Sequence, residues 1–213
     1  MLVLNSVDVT VTSDDRSVIA LLELNGNCDD IRDFQDEVDC IQTVQMSVFD
    51  LVPDTTCHFE RRESRHQAAD YVERGFGCCY DRATLIEQTL RNQGFQVRRT
   101  ALYKRQNTPF HYLLPKIPSH ALSEVKTREG WIFVGSIDPI IGVHESGDTY
   151  SLGDLRDGID AGKLDDQSFN APIPSNFYNG DFVYIYGVYS RHGFFFEPYI
   201  PVPEIAWSEL GLR

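Results

Sequence analysis

An α+β fold with an antiparallel sheet is predicted by three observations. Apolar residues in the first half of the chain recur at helical spacing, while the second half carries short runs rich in Val, Ile, Phe and Tyr. The change-over falls at one place, just after Gly94. Helices that precede strands, instead of alternating with them, favour consecutive strands that pair as neighbours. At 213 residues the chain is long enough for one good core and too short for two without a clear linker, so a single domain over 1–213 is expected.

In chain order, Val7, Val9 and Val11 alternate with polar residues and predict a half-buried strand before Ser13-Asp14-Asp15-Arg16. Val18 to Leu24 is apolar and ends at the turn signal Asn25-Gly26-Asn27, with helix and strand both open. From Asp29 to Phe49, the spacing of Ile31, Phe34, Val38, Ile41 and Val48 predicts a helix capped by Asp29 or Asp30. Leu51 to Arg62 reads as loop, and Glu63 to Arg74 as a second helix with Gly75 to end it. A third helix is predicted from Cys79 to Asn92, because Ala83, Ile86 and Leu90 share a face and Gly94 supplies a stop. Strands are expected at Phe95–Tyr103, Ser119–Lys126, Trp131–Ile137 and Phe182–Tyr189. Gly142 to Gly180 reads as a long surface connection with one weak helix around Leu152–Ile159.

A net charge of −13 argues against nucleic acid or an anionic membrane as a partner, since nothing neutralises phosphates. The opening residues lack the pattern of a signal peptide, and no apolar stretch approaches a membrane span, so a cytoplasmic location is expected. Five cysteines, an odd number with one adjacent pair, fit a reduced compartment better than a disulfide framework. No spacing suits zinc.

Three stretches carry chemistry. Gly77-Cys78-Cys79-Tyr80-Asp81-Arg82-Ala83 places a thiol at a helix start, where the macrodipole and outward N–H groups favour a thiolate and can hold an oxyanion. His120-Ala121-Leu122-Ser123-Glu124-Val125 opens a strand with an imidazole. Gly130-Trp131 then leads to Asp138-Pro139. Cys, His and Asp are the parts of a nucleophile, its general base and the group that orients the base. A turn centred on Glu129 would set His120 directly across from Asp138, although a one-residue change in the turn would break that pairing. Cys79 is preferred to Cys78 by helix phase, Ala83 lying on the same face one turn on. His111 is the reserve base, while His58, His66, His144 and His192 are read as structural or exposed. Glu124 is read as satisfying a backbone group or an arginine such as Arg98 or Arg99, and Trp131 as a core residue beside the site. The aromatic stretch Tyr184 to Phe196 is read as core first and as a groove wall second.

These stretches resemble the transglutaminase-like superfamily, with its Gly-x-Cys-x-x-x-Ala, His-Ala-x-x-Glu-Val, Gly-Trp and Asp-Pro pattern, over residues 65–140. The aspartate departs from the family spacing by three residues, the nearer position being Gly135. The resemblance implies a papain-like core in which the nucleophile heads a central helix packed on an antiparallel sheet, with 141–213 as a C-terminal strand and loop extension. It also implies no metal and no organic cofactor.

The activity it implies is acyl transfer on amide bonds through a thioester at Cys79, with His120 as base and Asp138 as orienter. The substrate would be a protein or peptide offering a glutamine-type carbonyl. Water as acceptor gives a peptidase or amidase, and an amine gives a transferase. Two alternatives stand beside this. Arg74-Gly75-Phe76-Gly77-Cys78 is similar to the Arg-Gly-Gly-x-Cys of arylamine N-acetyltransferases and would move the nucleophile to Cys78. A binding module could also keep the fold without catalysis.

Overall fold

Helix α4, Cys79–Asn92, matches its predicted bounds and organises the rest of the molecule. Its apolar stripe places Leu85, Ile86 and Leu90 out of solvent altogether, each contributing about 1.5–3 kcal/mol by burial. A computed structural model describes residues 5–24, 26–54, 68–104, 119–160, 169, 182–189 and 204–210. The remaining helices are α1 (Ser13–Ile19), α2 (Phe34–Leu51), α3 (Ala68–Arg74) and α5 (Leu152–Asp160). The strands are β1 (Asn5–Ser6), β2 (Gln96–Lys104), β3 (Ser119–Lys126), β4 (Trp131–Val134), β5 (Phe182–Tyr186) and β6 (Glu204–Ile205).

The expected α+β architecture is present. Four strands form an antiparallel sheet in the order β4-β3-β2-β5, and the short β1 and β6 pair in parallel beside it. One face of the sheet receives α4, which α2 covers from the far side. The core there joins Val44 and Val48 of α2 to Ile86 and Leu90 of α4 and to Val97, Val125 and Ile132 of the sheet. On the opposite face Leu102, Leu122 and Phe133 pack against Leu152 and Leu155 of α5, with Phe169 and Phe182.

Several expectations are corrected. The valines at 7, 9 and 11 do not form a strand; β1 ends at Ser6, although the Val7 N–H still donates to the Ile205 carbonyl. Ser13 to Ile19 is a helix, because Thr12 and Asp15 form a reciprocal capping box, and this settles as helical the first part of the stretch from Val18, where the sequence leaves helix and strand both open. The same device at Asp33 and Asp36 starts α2 four residues later than Asp29. Strands β4 and β5 are three residues shorter than expected at their C-terminal ends. The stretch after Gly142 is only partly a surface connection: residues 143–149 fold back as a hairpin, and α5 and Phe169 build the second core.

The cysteine reading is also corrected. Cys28 and Cys40 form a disulfide, Cys78 is disulfide-bonded as well, and Cys79 is the free cysteine among the described residues. Spacing along the chain gave no hint of the Cys28–Cys40 bond, since that proximity arises only when α2 folds back along the segment preceding it. Among the described residues no helix is long and apolar enough to cross a membrane. The readings on Leu51–Arg62 beyond Asp54, on 63–67, on His58, His66, His111 and His192, and on most of the stretch beyond Tyr189 lie outside the described residues.

Candidate active site

Cys79 is the first residue of α4, and the preceding turn is fixed by its neighbours. Asp81 accepts from the Cys78 N–H at 3.0 Å and from Arg74 at 3.2 Å, which satisfies one of the amides left open at the helix start. Gly77 is required on steric grounds, since a Cβ there would lie 2.7 Å from Val52 and 2.8 Å from Asp81. The same residue forms a bridge with Asp54, which brings the end of the α2 segment beside the helix start. With Cys78 held in a disulfide, the acetyltransferase alternative loses its thiol.

The Cys79 thiol reaches the open edge of β3. Pairing between β3 and β4 begins only at Ser123–Val134, so the Ala121 backbone is not used by β4. There the Ala121 N–H donates to Cys79, as does the N–H of Tyr80, and the Ala121 carbonyl accepts from the Ser136 hydroxyl. Burial nevertheless pushes the Cys79 thiol up, outweighing these N–H groups and Arg99 behind them. The thiolate favoured by position alone is therefore not the resting form; Cys79 is a neutral thiol at pH 7.

His120 is the next residue along the same strand. It is 4% exposed and pairs with Leu102 across the β2–β3 ladder, so strand alternation sets it on the Leu102–Leu122 face while Ala121 faces α4. Burial lowers its pKa to about 4, and it is a neutral imidazole at pH 7. Thiol and base thus meet the start of β3 from opposite faces of the sheet, both uncharged.

Asp138 lies in a bend beyond β4. The β3–β4 register differs by one residue from the expected one, with Lys126 opposite Trp131 and Val125 opposite Ile132, and pairing stops at Val134. The chain then leaves the sheet through 135–140 and returns to pair Ile141 with Val134. Gly135 permits this close loop, because a Cβ would meet the Asp138 carbonyl at 2.4 Å. Gln45 of α2 holds it in place, its side-chain amide donating to the carbonyls of Gly135 at 2.8 Å and Ile140 at 3.1 Å. Burial and the neighbouring Asp54 carboxylate raise the Asp138 pKa. Among the described residues no hydrogen bond joins Asp138 to His120, or His120 to Cys79.

The remaining candidates fall into structural places. Glu124 pairs with Arg98 and accepts from the Leu152 N–H at 2.7 Å, which is the structural reading given to it. Trp131 pairs with Lys126 at the far end of β3 from His120 and stacks with Arg98 at 4.0 Å, so it is not beside the site. His144 packs its ring edge-on to Phe169 and bonds Ser146 at 2.7 Å.

Three residues went unnoticed in the sequence. Gln45 positions the Asp138 loop. Arg82, one turn into α4, donates to the Val52 carbonyl at 2.7 Å and faces the Ser136 carbonyl, tying the 52–54 and 136–138 segments to the helix start. Glu87 anchors a buried charge network with Arg99 and Tyr189. Only Arg82 carried a local signal, a cation spaced to follow the nucleophile on its own helix.

No family model matches the chain, and no curated protein matches it. Among solved structures it is similar to one described as a "putative cysteine protease" from Cytophaga hutchinsonii, at 15% identity and a TM-score of 0.38. The match covers 68% of this chain and 49% of that one, so the chain spans about half the length of the solved structure.

Proposed function

We propose that the protein is a cysteine-dependent acyl-transfer enzyme with a papain-like, transglutaminase-like core, acting on amide bonds through a thioester at Cys79. The observation that carries this reading is the placement of the free thiol: it heads a helix and touches the strand backbone one residue from His120. In the proposed step Cys79 attacks a carboxamide carbonyl as His120 takes the thiol proton, which requires the imidazole to turn from the Leu102–Leu122 face toward the thiol when substrate binds. Two neutral partners suit this order, since the proton moves only when substrate arrives and charge separation is repaid by the developing oxyanion. Of the N–H groups at the start of α4, that of Cys79 is proposed to hold the oxyanion, since Cys78 donates to Asp81 and Tyr80 to the thiol. His120 returns the proton to the leaving amine, and water or a second amine then resolves the thioester.

Asp138 is proposed as the orienter of His120, requiring the 135–140 loop to draw in when substrate binds. Catalytic hydrogen bonds that tighten only in the substrate complex are common. The acid pair Asp54 and Asp138 at the rim is in keeping with an amine or cationic substrate group.

The test is ammonia release from a glutamine-bearing peptide, with and without a fluorescent primary amine. Release without amine incorporation marks a hydrolase, and incorporation marks a transferase. Cys79→Ala is expected to abolish both, and turnover that survives this change would sink the proposal. A binding module that keeps the fold would show neither reaction in the unaltered protein.

A further inference from the structure

Away from Cys79, the outer side of α2 lines a groove of about 680 Å³ shared with the segment that follows α1. Its apolar contacts include Leu21 and Met46, which are 56% and 45% exposed. Large apolar side chains held in the open within one concave surface mark a contact site more often than chance exposure. Asp39, Met46 and Asp50 lie on one stripe of α2, seven and four residues apart, and Glu23 faces them from the other wall.

The groove is preformed. Asn27 donates to Thr43 at 2.8 Å and Ser47 to the Glu23 carbonyl at 3.0 Å, while the Cys28–Cys40 disulfide fastens the facing segment to α2. A partner therefore meets a wall that needs little ordering.

Its charge selects the partner. Three carboxylates line the groove and no Lys or Arg does. Asp50 stands in the last turn of α2, where the helix dipole favours a cation, and that turn holds no basic residue. A positive side chain from outside would satisfy both the carboxylate and the helix end. A second copy of this chain is a poor fit, because its net charge of −13 would set like charges together.

We propose that this groove docks a basic amphipathic segment of a partner protein, with its apolar face on Leu21 and Met46 and its Lys or Arg side chains toward Glu23, Asp39 and Asp50. The mode is helix-in-groove recognition with charged flanks.

The experiment is fluorescence anisotropy with a labelled Leu/Lys peptide of about 14 residues, some four helical turns, against the full chain. A peptide of the same composition, shuffled so that no apolar face forms, serves as the control. The amphipathic peptide is expected to bind at least about tenfold more tightly than the shuffled one, and more weakly as salt rises. Met46→Lys and, separately, Asp50→Lys are each expected to weaken it by about tenfold or more with unchanged melting, both sites being exposed. Cys79→Ala should bind as the unaltered protein does. Equal binding of the shuffled peptide, or unchanged affinity in Met46→Lys, would overturn the proposal. So would a concentration-dependent dimer that Met46→Lys dissolves, which would give the groove to a second copy.

Discussion

Two stretches of the same helix treat burial in opposite ways. At its N-terminus Cys79 is half-buried and the neighbouring strand's His120 is buried; burial favours the uncharged form of each, and both are neutral. Two turns further on, Glu87 and Arg99 are buried more completely and form an ion pair. The difference lies in the partners. Glu87 accepts from both Arg99 and Ser123, and from Tyr189 at 3.0 Å, while Arg99 also donates to Thr84 at 2.7 Å and sits over the rings of Tyr80 and Tyr189. Burial alone would pull the Arg99 guanidinium down, but Glu87 and the two tyrosines hold it above its usual range. A buried charge persists where an opposite charge and several hydrogen bonds replace its hydration, and where burial outweighs them the neutral form is kept instead. The helix therefore combines a fixed ionic brace with a reactive end that becomes charged only during reaction.

The largest effect should come from breaking the brace. Glu87→Gln removes the carboxylate paired with the Arg99 guanidinium and leaves only the more distant Glu209, and a loss of about 3–5 kcal/mol is expected, read as a fall in the urea midpoint. A loss under about 1 kcal/mol would show that the two ends differ less than the geometry implies.

The second effect tests the neutral end by pH. The folded His120 pKa is about 4 against an ordinary 6.5, so the unfolded chain binds this proton first as pH falls. Its contribution is complete above pH 6.5 and is lost progressively down to pH 4, about 2 kcal/mol being gone at pH 5. Urea unfolding at pH 7.5 and pH 5 should show this loss, and His120→Gln should remove it. A variant with the same pH slope would place the titration elsewhere.

The smallest effect concerns the rim. Asp54→Asn removes the carboxylate that helps burial to raise Asp138, so the Asp138 titration followed by NMR should move to lower pH. An unmoved titration would separate the two residues.

Much of the first comparison could be read in the chain. The bounds of α4, its buried face and the strand that begins at Ser119 follow from local periodicity, because those patterns report the secondary structure that buries them. The change from 3.6-residue to two-residue periodicity after Gly94 likewise gave the order of layers. What could not be read depends on distance through space. A one-residue difference in the turn after Lys126 moved Asp138 off the expected pairing, and turn length is not encoded in strand periodicity. Gln45 reaches a loop 90 residues away with no local mark of that role. The disulfides, and the burial that outweighs the helix dipole at Cys79, also appear only once the elements pack.

Acylation by p-nitrophenyl acetate, with mass-spectrometric mapping of the acyl group, tests whether Cys79 acts as a nucleophile served by His120. The expected result is a burst that acetylates Cys79 alone, faster as pH rises because the thiol is held above its ordinary pKa. His120→Ala, checked for an intact fold, should slow that burst by about 10²-fold or more. Acetylation spread over other residues, or a burst unchanged in His120→Ala, would contradict it.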